Sequence, residues 1–290
     1  MLLKNLTPPL FVALIIFSSC QREIESSFER TTNNNDSIYL KEFVELDTTL
    51  APGSDTVARA RFFYDTEKRV TMYTDEDYRW GPQFTEVTRY FYNGSDTLPY
   101  KAVVNYSDFV NDYSDTIFLF YNGVVVAKDS TITHDITNNV FWGTAVIVFT
   151  PNGNNTFIQS RAYNNPQPSS PDFQWSGMIM QTRVNGNITQ QDDTTTASVV
   201  YTDRLHHQVS YDNKINPIYR TQIHYPIING YKHQHKNNTI EARAWDIPGQ
   251  FEDHDRYDYI YRSDGYPLSV TITNVLNPAS KSKAVYIYTD

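Results

Sequence analysis

Apolar and polar positions alternate with a period of two along the last part of the chain. Tyr257, Tyr259 and Tyr261 alternate with Asp258, Ile260 and Arg262; Val270 and Ile272 alternate with Ser269, Thr271 and Thr273; Val285 and Ile287 alternate with Tyr286 and Tyr288. Successive side chains of a strand point to opposite faces, so these segments predict strands with one apolar face and one aromatic or polar face. Two further runs, Ile117-Phe118-Leu119-Phe120-Tyr121 and Ala145-Val146-Ile147-Val148-Phe149, are apolar throughout. They predict strands covered on both faces. Extended over the chain, the pattern gives about fourteen to sixteen strands.

Turn signals separate the runs. Asn93-Gly94, Asn122-Gly123, Asn152-Gly153, Asn185-Gly186, Asn229-Gly230 and Asp264-Gly265 recur along the chain and take six of its 11 glycines. Asn and Gly tolerate the positive φ of type I′ turns, whose twist matches antiparallel strands. A recurrence of roughly 30 residues leaves two strands and a further connection per unit, the arrangement of an antiparallel meander of long hairpins. Ile38 to Leu50 fits a strand or a short helix equally well, and Ala51-Pro52-Gly53-Ser54-Asp55 ends it. The Pro-rich stretch from Asn164 to Pro171 reads as a long loop within one sheet, because strand-like residues flank it on both sides.

Composition supports an all-β chain: 22 Tyr and 16 Phe, with 8 Leu from Cys20 onward. Aromatic residues fit a pleated surface, whereas Leu and Glu build helices. The formal net charge of −9 repels phosphate backbones, and no dense Lys/Arg stripe interrupts it, so a nucleic-acid partner is not expected.

The N-terminus carries Lys4, then an apolar run from Pro8 to Phe17, then small residues and Cys20. This is the layout of a secretory signal, too short to span a membrane. Phe17-Ser18-Ser19-Cys20 resembles the bacterial lipobox, with Phe in place of the usual Leu. The resemblance implies acylation of Cys20, palmitate included, and cleavage after residue 19. The only Cys of the chain falls at the position lipidation needs, and no internal disulfide is available. Several acyl chains give stable anchoring where one binds reversibly. Gln21, where Asp would imply inner-membrane retention, leans toward the outer membrane, on its periplasmic or its cell-surface face. Ser26 to Asp36 is nearly free of apolar residues and reads as a tether. The expected organisation is thus a signal peptide over 1–19, a lipidated Cys with its tether and one short element over 20–56, and a single β domain over 57–290.

A Tyr-Asp or Tyr-Asn signature recurs: Phe63-Tyr64-Asp65 before Lys68-Arg69-Val70, Phe91-Tyr92-Asn93-Gly94 before Leu98-Pro99, Tyr211-Asp212-Asn213-Lys214 before Asn216-Pro217, and Tyr259-Ile260-Tyr261 before Asp264-Gly265-Tyr266-Pro267. It resembles the YD-type β-hairpin repeats of uncharacterised lipoproteins of Gram-negative, Bacteroidota-type anaerobes, which have a porin-like fold and no assigned activity. The resemblance implies a large curved antiparallel sheet, up to a partly closed barrel, and supplies no catalytic residues.

Candidate chemistry is sparse. His233 and His235 share a face on a strand and, with His254 or Asp253, have the makings of a metal site. The polarity of Tyr231 to Asn238 favours solvated loop histidines instead, and no Glu stands at zincin spacing, so neither a metal nor a cofactor is expected. Asp75-Glu76-Asp77 and Glu252-Asp253-His254-Asp255 read as turn-associated charge. No nucleophile elbow, phosphate loop or reactive Cys occurs, so the chain reads as a non-enzyme, with a hydrolase built on residues 252–255 as an alternative. Trp80, Trp142, Trp175 and Trp245 offer aromatic platforms for sugar rings or acyl chains, Trp80 and Trp175 foremost. A lipid carrier is the other alternative, and it requires an apolar concave face open to solvent. Asp followed by Ser or Thr at Asp36, Asp47, Asp55, Asp96, Asp115, Asp129 and Asp193 matches a short O-glycosylation site of such envelopes and predicts glycans on Ser37 or Thr56. The leading reading is a lipid-anchored, non-enzymatic envelope β-protein that binds a ligand or serves as a structural component.

Overall fold

A computed structural model of the chain describes residues 38–49, 55–79, 84–107, 111–122, 125–163, 174–197, 201–218, 235–246 and 252–289. They form sixteen strands: β1 (Leu40–Asp47), β2 (Thr56–Tyr64), β3 (Val70–Asp77), β4 (Phe84–Phe91), β5 (Lys101–Ser107), β6 (Asp112–Asn122), β7 (Val125–Asp135), β8 (Val140–Asn152), β9 (Asn155–Tyr163), β10 (Gln174–Val184), β11 (Asn187–Ala197), β12 (Tyr201–Ile215), β13 (Asn237–Asp246), β14 (Glu252–Tyr261), β15 (Pro267–Asn274) and β16 (Lys281–Tyr288). Each pairs antiparallel with its sequence neighbours, and β1 pairs with β16, closing the sheet into a barrel. Of the two readings of Ile38 to Leu50, the strand is the one formed. It belongs to the barrel, which therefore begins at Leu40 rather than at residue 57. The seam is fixed by Leu40 opposite Tyr288, and by Tyr39, whose N–H donates to Thr289 Oγ1 at 3.1 Å. β9 and β10 pair with each other; the Pro-rich stretch between them lies outside the described residues.

Residues opposite one another in the ladder share a face, so following the register round the wall separates inside from outside. The inner set includes Ala60, Phe62, Tyr73, Ala102, Ile117, Ile147, Ile179, Ala242, Tyr257, Val270 and Ala284, none more than 9% exposed, and they belong to one hydrophobic cluster. A round barrel of sixteen strands leaves an aqueous channel. Burial this deep means that side chains, not water, fill the interior at these positions. Among the described residues these positions therefore offer no apolar concave face open to solvent, as a lipid carrier requires.

The outer set is charged. Glu42, Arg59, Arg61, Glu76, Arg89, Lys128, Glu241, Arg243, Arg256, Asp258 and Lys283 all fall on it. Many pair across strands, as in Arg59–Glu42 at 2.8 Å, Arg61–Glu76 at 2.8 Å and Arg243–Glu252 at 2.7 Å. The two all-apolar runs are covered on one face only. Ile117, Leu119, Ile147 and Phe149 point inward, while Phe118, Phe120 and Val148 stand 36%, 50% and 39% exposed. Alternation around a single core outweighs hydropathy here, and apolar residues are left outside.

The acidic clusters are corrected likewise. Asp75-Glu76-Asp77 lies in β3 and Glu252-Asp253-His254-Asp255 in β14, not in turns. The turn geometries are also more varied than a series of type I′ turns. Asn185 and Gly186 both have positive φ, 52° and 83°, as type I′ requires. At β8–β9, Asn152 still pairs with Asn155, and Gly153 at φ 59° opens the turn. Gly265 (φ 89°) follows a tight turn in which its N–H donates to Arg262 C=O at 3.0 Å, and Lys68 (φ 64°) takes the same place after Asp65.

Candidate functional site

The two rims of the barrel differ in kind. At one, here the turn rim, all six Asn-Gly and Asp-Gly pairs fall between strands, and both ends of the described chain arrive there. Tyrosines at the ends of even-numbered strands latch it. Tyr64 Oη donates to Leu40 C=O at 2.7 Å, Tyr92 to Val70 at 2.7 Å, Tyr121 to Pro99 at 2.7 Å and Tyr288 to Pro267 at 2.8 Å; Tyr211 does the same to Ile188. Each ties the end of one strand to the start of the preceding one. Burial pushes the phenols of Tyr64, Tyr92 and Tyr288 well above their ordinary range, so they remain donors. The tyrosine hydroxyls are thus tied to backbone rather than released to water. A shallow groove of about 500 Å³ at this rim, lined by Asn187, Tyr211, Asp212 and Asn237 among others, has its polar groups engaged. Asp212 accepts from Tyr261 and from the Lys214 and Asn238 N–H groups, and Asn187 donates to Asn237 at 2.9 Å.

The opposite rim, the loop rim, gathers the tryptophans. Trp142 is the third residue of β8, Trp175 the second of β10 and Trp245 the last but one of β13, all at this end. Trp80 lies outside the described residues, in the chain between β3 and β4, and for Trp175 only the strand position is described. Trp245 stacks on His206 at 5.6 Å and has the Arg243 guanidinium 5.2 Å from its centroid, so its faces are engaged on the outer wall. Of the two tryptophans whose side chains are described, Trp142 is the one open to solvent, 48% exposed. It meets Tyr113 edge-on at 6.2 Å, and Tyr113 stacks on Tyr106 at 5.3 Å. A polar fringe surrounds this cluster. Asn111 Nδ2 donates to Tyr113 Oη at 3.2 Å, Asn138 Nδ2 to Asn111 Oδ1 at 3.2 Å and to Asp135 Oδ2 at 2.8 Å. The Asn138 side chain and backbone hold the Asp135 carboxyl below its ordinary range.

Below the fringe, inward-facing carboxyls cluster: Glu45, Asp75, Asp77, Glu86 and Asp115. Burial, reinforced by Asp77, pushes Asp75 up to about 6. Burial raises Asp115 to about 6 as well, and burial with Asp75 alongside drives Glu86 well above the usual carboxylate range. Asp75, Glu86 and Asp115 therefore hold their protons to higher pH than ordinary carboxyls do. Sequence reading placed Asp75 and Asp77 in a turn, and the signal it overlooked was their own period-2 spacing.

The remaining sequence candidates do not converge. His235 is fully buried rather than solvated: its Nδ1 accepts from the Ile188 N–H at 3.2 Å and its ring packs on Tyr211 at 4.6 Å. His233 lies outside the described residues. His254 is near the other rim, on the outer face, with Glu241 at 2.7 Å. Among the described residues no group of three or more His, Cys, Asp or Glu is placed to hold a metal ion. Residues 252–255 alternate between faces, Asp253 and Asp255 inward against Asn274 and His254 outward, so they form no single hydrolytic site. Of the Asp-Ser/Thr sites, Asp115 and Asp129 carry their carboxyls inside the barrel, while the hydroxyl residues that follow them, Thr116 and Ser130, fall on the outer face. Thr56 opens β2 at the loop rim, while Cys20 and Ser37 lie outside the described residues.

No family model and no curated protein matches the chain. Among solved structures, a porin-like protein from Bacteroides vulgatus ATCC 8482 superposes with a TM-score of 0.56 at 10% identity, over 87% of this chain and 98% of that one. The fold is porin-like. A second porin-like protein, from Bacteroides uniformis ATCC 8492, has a TM-score of 0.49 at 13% identity, over 87% and 96% of the two chains. On this porin-like barrel the outer wall carries many charges, while the interior combines an apolar cluster with buried polar groups such as Gln181, Arg183 and Gln191. No helix among the described residues is long and apolar enough to cross a membrane. A lipid-facing strand carries an apolar band, and a Lys or Arg at its midplane costs about 2–4 kcal/mol. The outer face here carries such residues at mid-strand, Arg59, Arg243, Arg256 and Lys283.

Proposed function

We propose that this chain is a lipid-anchored, non-enzymatic protein of the outer membrane, whose barrel stands in water and presents its loop rim to a glycan. The observation that carries this reading is the pairing of a charged outer wall with a filled interior. Such a wall is unsuited to lipid and such an interior is unsuited to a pore, so attachment to a membrane has to come from outside the barrel. Phe17-Ser18-Ser19-Cys20 supplies it. The glycan class is supported by the Trp142–Tyr113–Tyr106 cluster with its Asn111, Asn138 and Asp135 fringe. An exposed aromatic face accepts the C–H face of a sugar, and amides and carboxylates accept its hydroxyls.

Two measurements test the reading. The intact mass of the membrane-extracted protein is expected to match a chain starting at Cys20 plus its acyl groups, with Cys20→Ser releasing the protein in soluble form. An unmodified chain overturns the anchor. On a glycan array, Trp142→Ala is expected to abolish the signal while Trp245→Ala leaves it in place; equal binding by Trp142→Ala and the unaltered chain overturns the site.

A further inference from the structure

Exposed apolar residues stand at mid-strand at Phe118, Val148 and Met178 and at the turn rim at Phe120, Val184 and Ile215, and a further group gathers on one flank of that rim. Phe63, Ile260, Leu268 and Ile287 each stand one residue from a strand end at the turn rim, and Ile240 three from the start of β13. They are 38–61% exposed. At about 3.3 Å per residue they lie within roughly 10 Å of the rim. In the wall they occupy β13, β14, β15, β16 and β2, a flank that includes β1 between β16 and β2. β1 is where the chain enters the barrel. Along the same flank, Lys41 and Lys68 are exposed, while the nearby acids are engaged: Asp65 by Arg69 at 2.7 Å and Asp264 by Arg262 at 3.1 Å.

We infer that this flank of the turn rim docks on an anionic lipid surface, so that the barrel lies tilted on the membrane rather than floating free on its tether. The choice of bilayer as occupant rests on the anchor reading above. Residues 21–37 are seventeen in number, and a flexible chain of that length has a mean reach of about 23 Å. The acyl groups on Cys20 therefore hold the flank at high local concentration near lipid. An apolar strip about 5–10 Å deep fringed by lysines matches the headgroup and acyl boundary in depth and in charge. Phe120, exposed at the same rim on β6, lies outside the flank and stays in water.

The test uses the full acylated protein in vesicles of phosphatidylethanolamine and phosphatidylglycerol, carrying one environment-sensitive thiol label; acylation of Cys20 leaves no other free thiol. Labels at Ile260→Cys and Leu268→Cys are expected to shift to the blue and be quenched by nitroxide lipids. Labels at Phe120→Cys and Leu276→Cys are expected to report water. A second arm uses the Cys20→Ser chain: weak vesicle binding that falls about tenfold with Ile260→Asp/Leu268→Asp, and also falls without phosphatidylglycerol, supports the docking. Equal labels at all four positions overturn it, as do labels at 260 that are shielded by a second copy in detergent-free solution without vesicles. The two readings fail separately. A correct acylated mass with water-exposed labels at 260 sinks the docking alone, and an unacylated native chain whose flank still binds vesicles sinks the anchor alone.

Discussion

The turn rim and the loop rim are built from the same sixteen strands by different means. The turn rim is held by local chemistry repeated from unit to unit: a tyrosine at a strand end, a carbonyl at the start of the preceding strand, and a turn cation lying on the next ring, as Arg69 does on Tyr92 at 4.5 Å and Arg262 on Tyr288 at 5.2 Å. Arg69 Nη1 also donates to the Gly94 and Asp96 carbonyls, binding one turn to the next. Among the described residues the loop rim has no such repeat. Its interior side is lined by carboxyls whose neutral forms are favoured, and its edge by aromatic and amide groups with solvent beside them. The repeated ties gather at one end of the barrel, and the exposed aromatic and amide groups proposed to bind a glycan at the other.

That division can be broken by measurement. The largest effect expected is a gain. Asp75 is held near 6 by burial and Asp77, above the value of an unfolded Asp, so the folded chain binds the extra proton between about pH 4 and 6. Stability therefore falls as pH rises through that window, and Asp75→Asn should raise it by about 2 kcal/mol at pH 7.5 after allowance for partial exposure, with no gain at pH 4. Chemical denaturation at the two pH values checks this, and Glu86→Gln should behave alike. Next, Tyr64→Phe and Tyr288→Phe should each lose about 1 kcal/mol in urea melts, because a half-buried carbonyl is left without its donor; an unchanged midpoint would remove the latch from the account of the turn rim. Smaller still, Lys68→Gly should stabilise by about 0.5–1 kcal/mol, since Lys68 occupies a left-handed conformation that suits Gly. Last, Trp142→Ala should shift stability by no more than about 0.5 kcal/mol while removing ligand binding. A large loss of stability there would mean that the loop rim is structural too.

Sequence reading recovered what is local and missed what is shared across the wall. The alternation at Tyr257–Tyr261 and Val285–Tyr288 marked strands correctly, because each has an inner face of its own to bury. The run Ile117–Tyr121 misled because outward Phe118 and Phe120 have the same hydropathy as inward Ile117 and Leu119. Asp75 and Glu86 were invisible as interior residues, since charge in a short window reads as solvent-facing and only the register of β3 with β4 places them side by side within. Closure itself joins residues 250 positions apart, Tyr39 to Thr289, and no window of sequence contains both. The site was partly legible: four tryptophans were singled out, but only strand direction shows that the described ones lie at one end and that Trp142 is the exposed member.

The seam between β1 and β16 also governs how the protein is made. Until these two strands meet, the growing sheet carries a bare hydrogen-bonding edge on each side, and either can capture the edge of another unfinished chain. The joining contact spans nearly the whole sequence, the kind that forms late and slowly. Once zipped, the ring has no edge left to offer. Dilution or a chaperone during export should therefore govern the yield of this protein more than the stability of the finished barrel does.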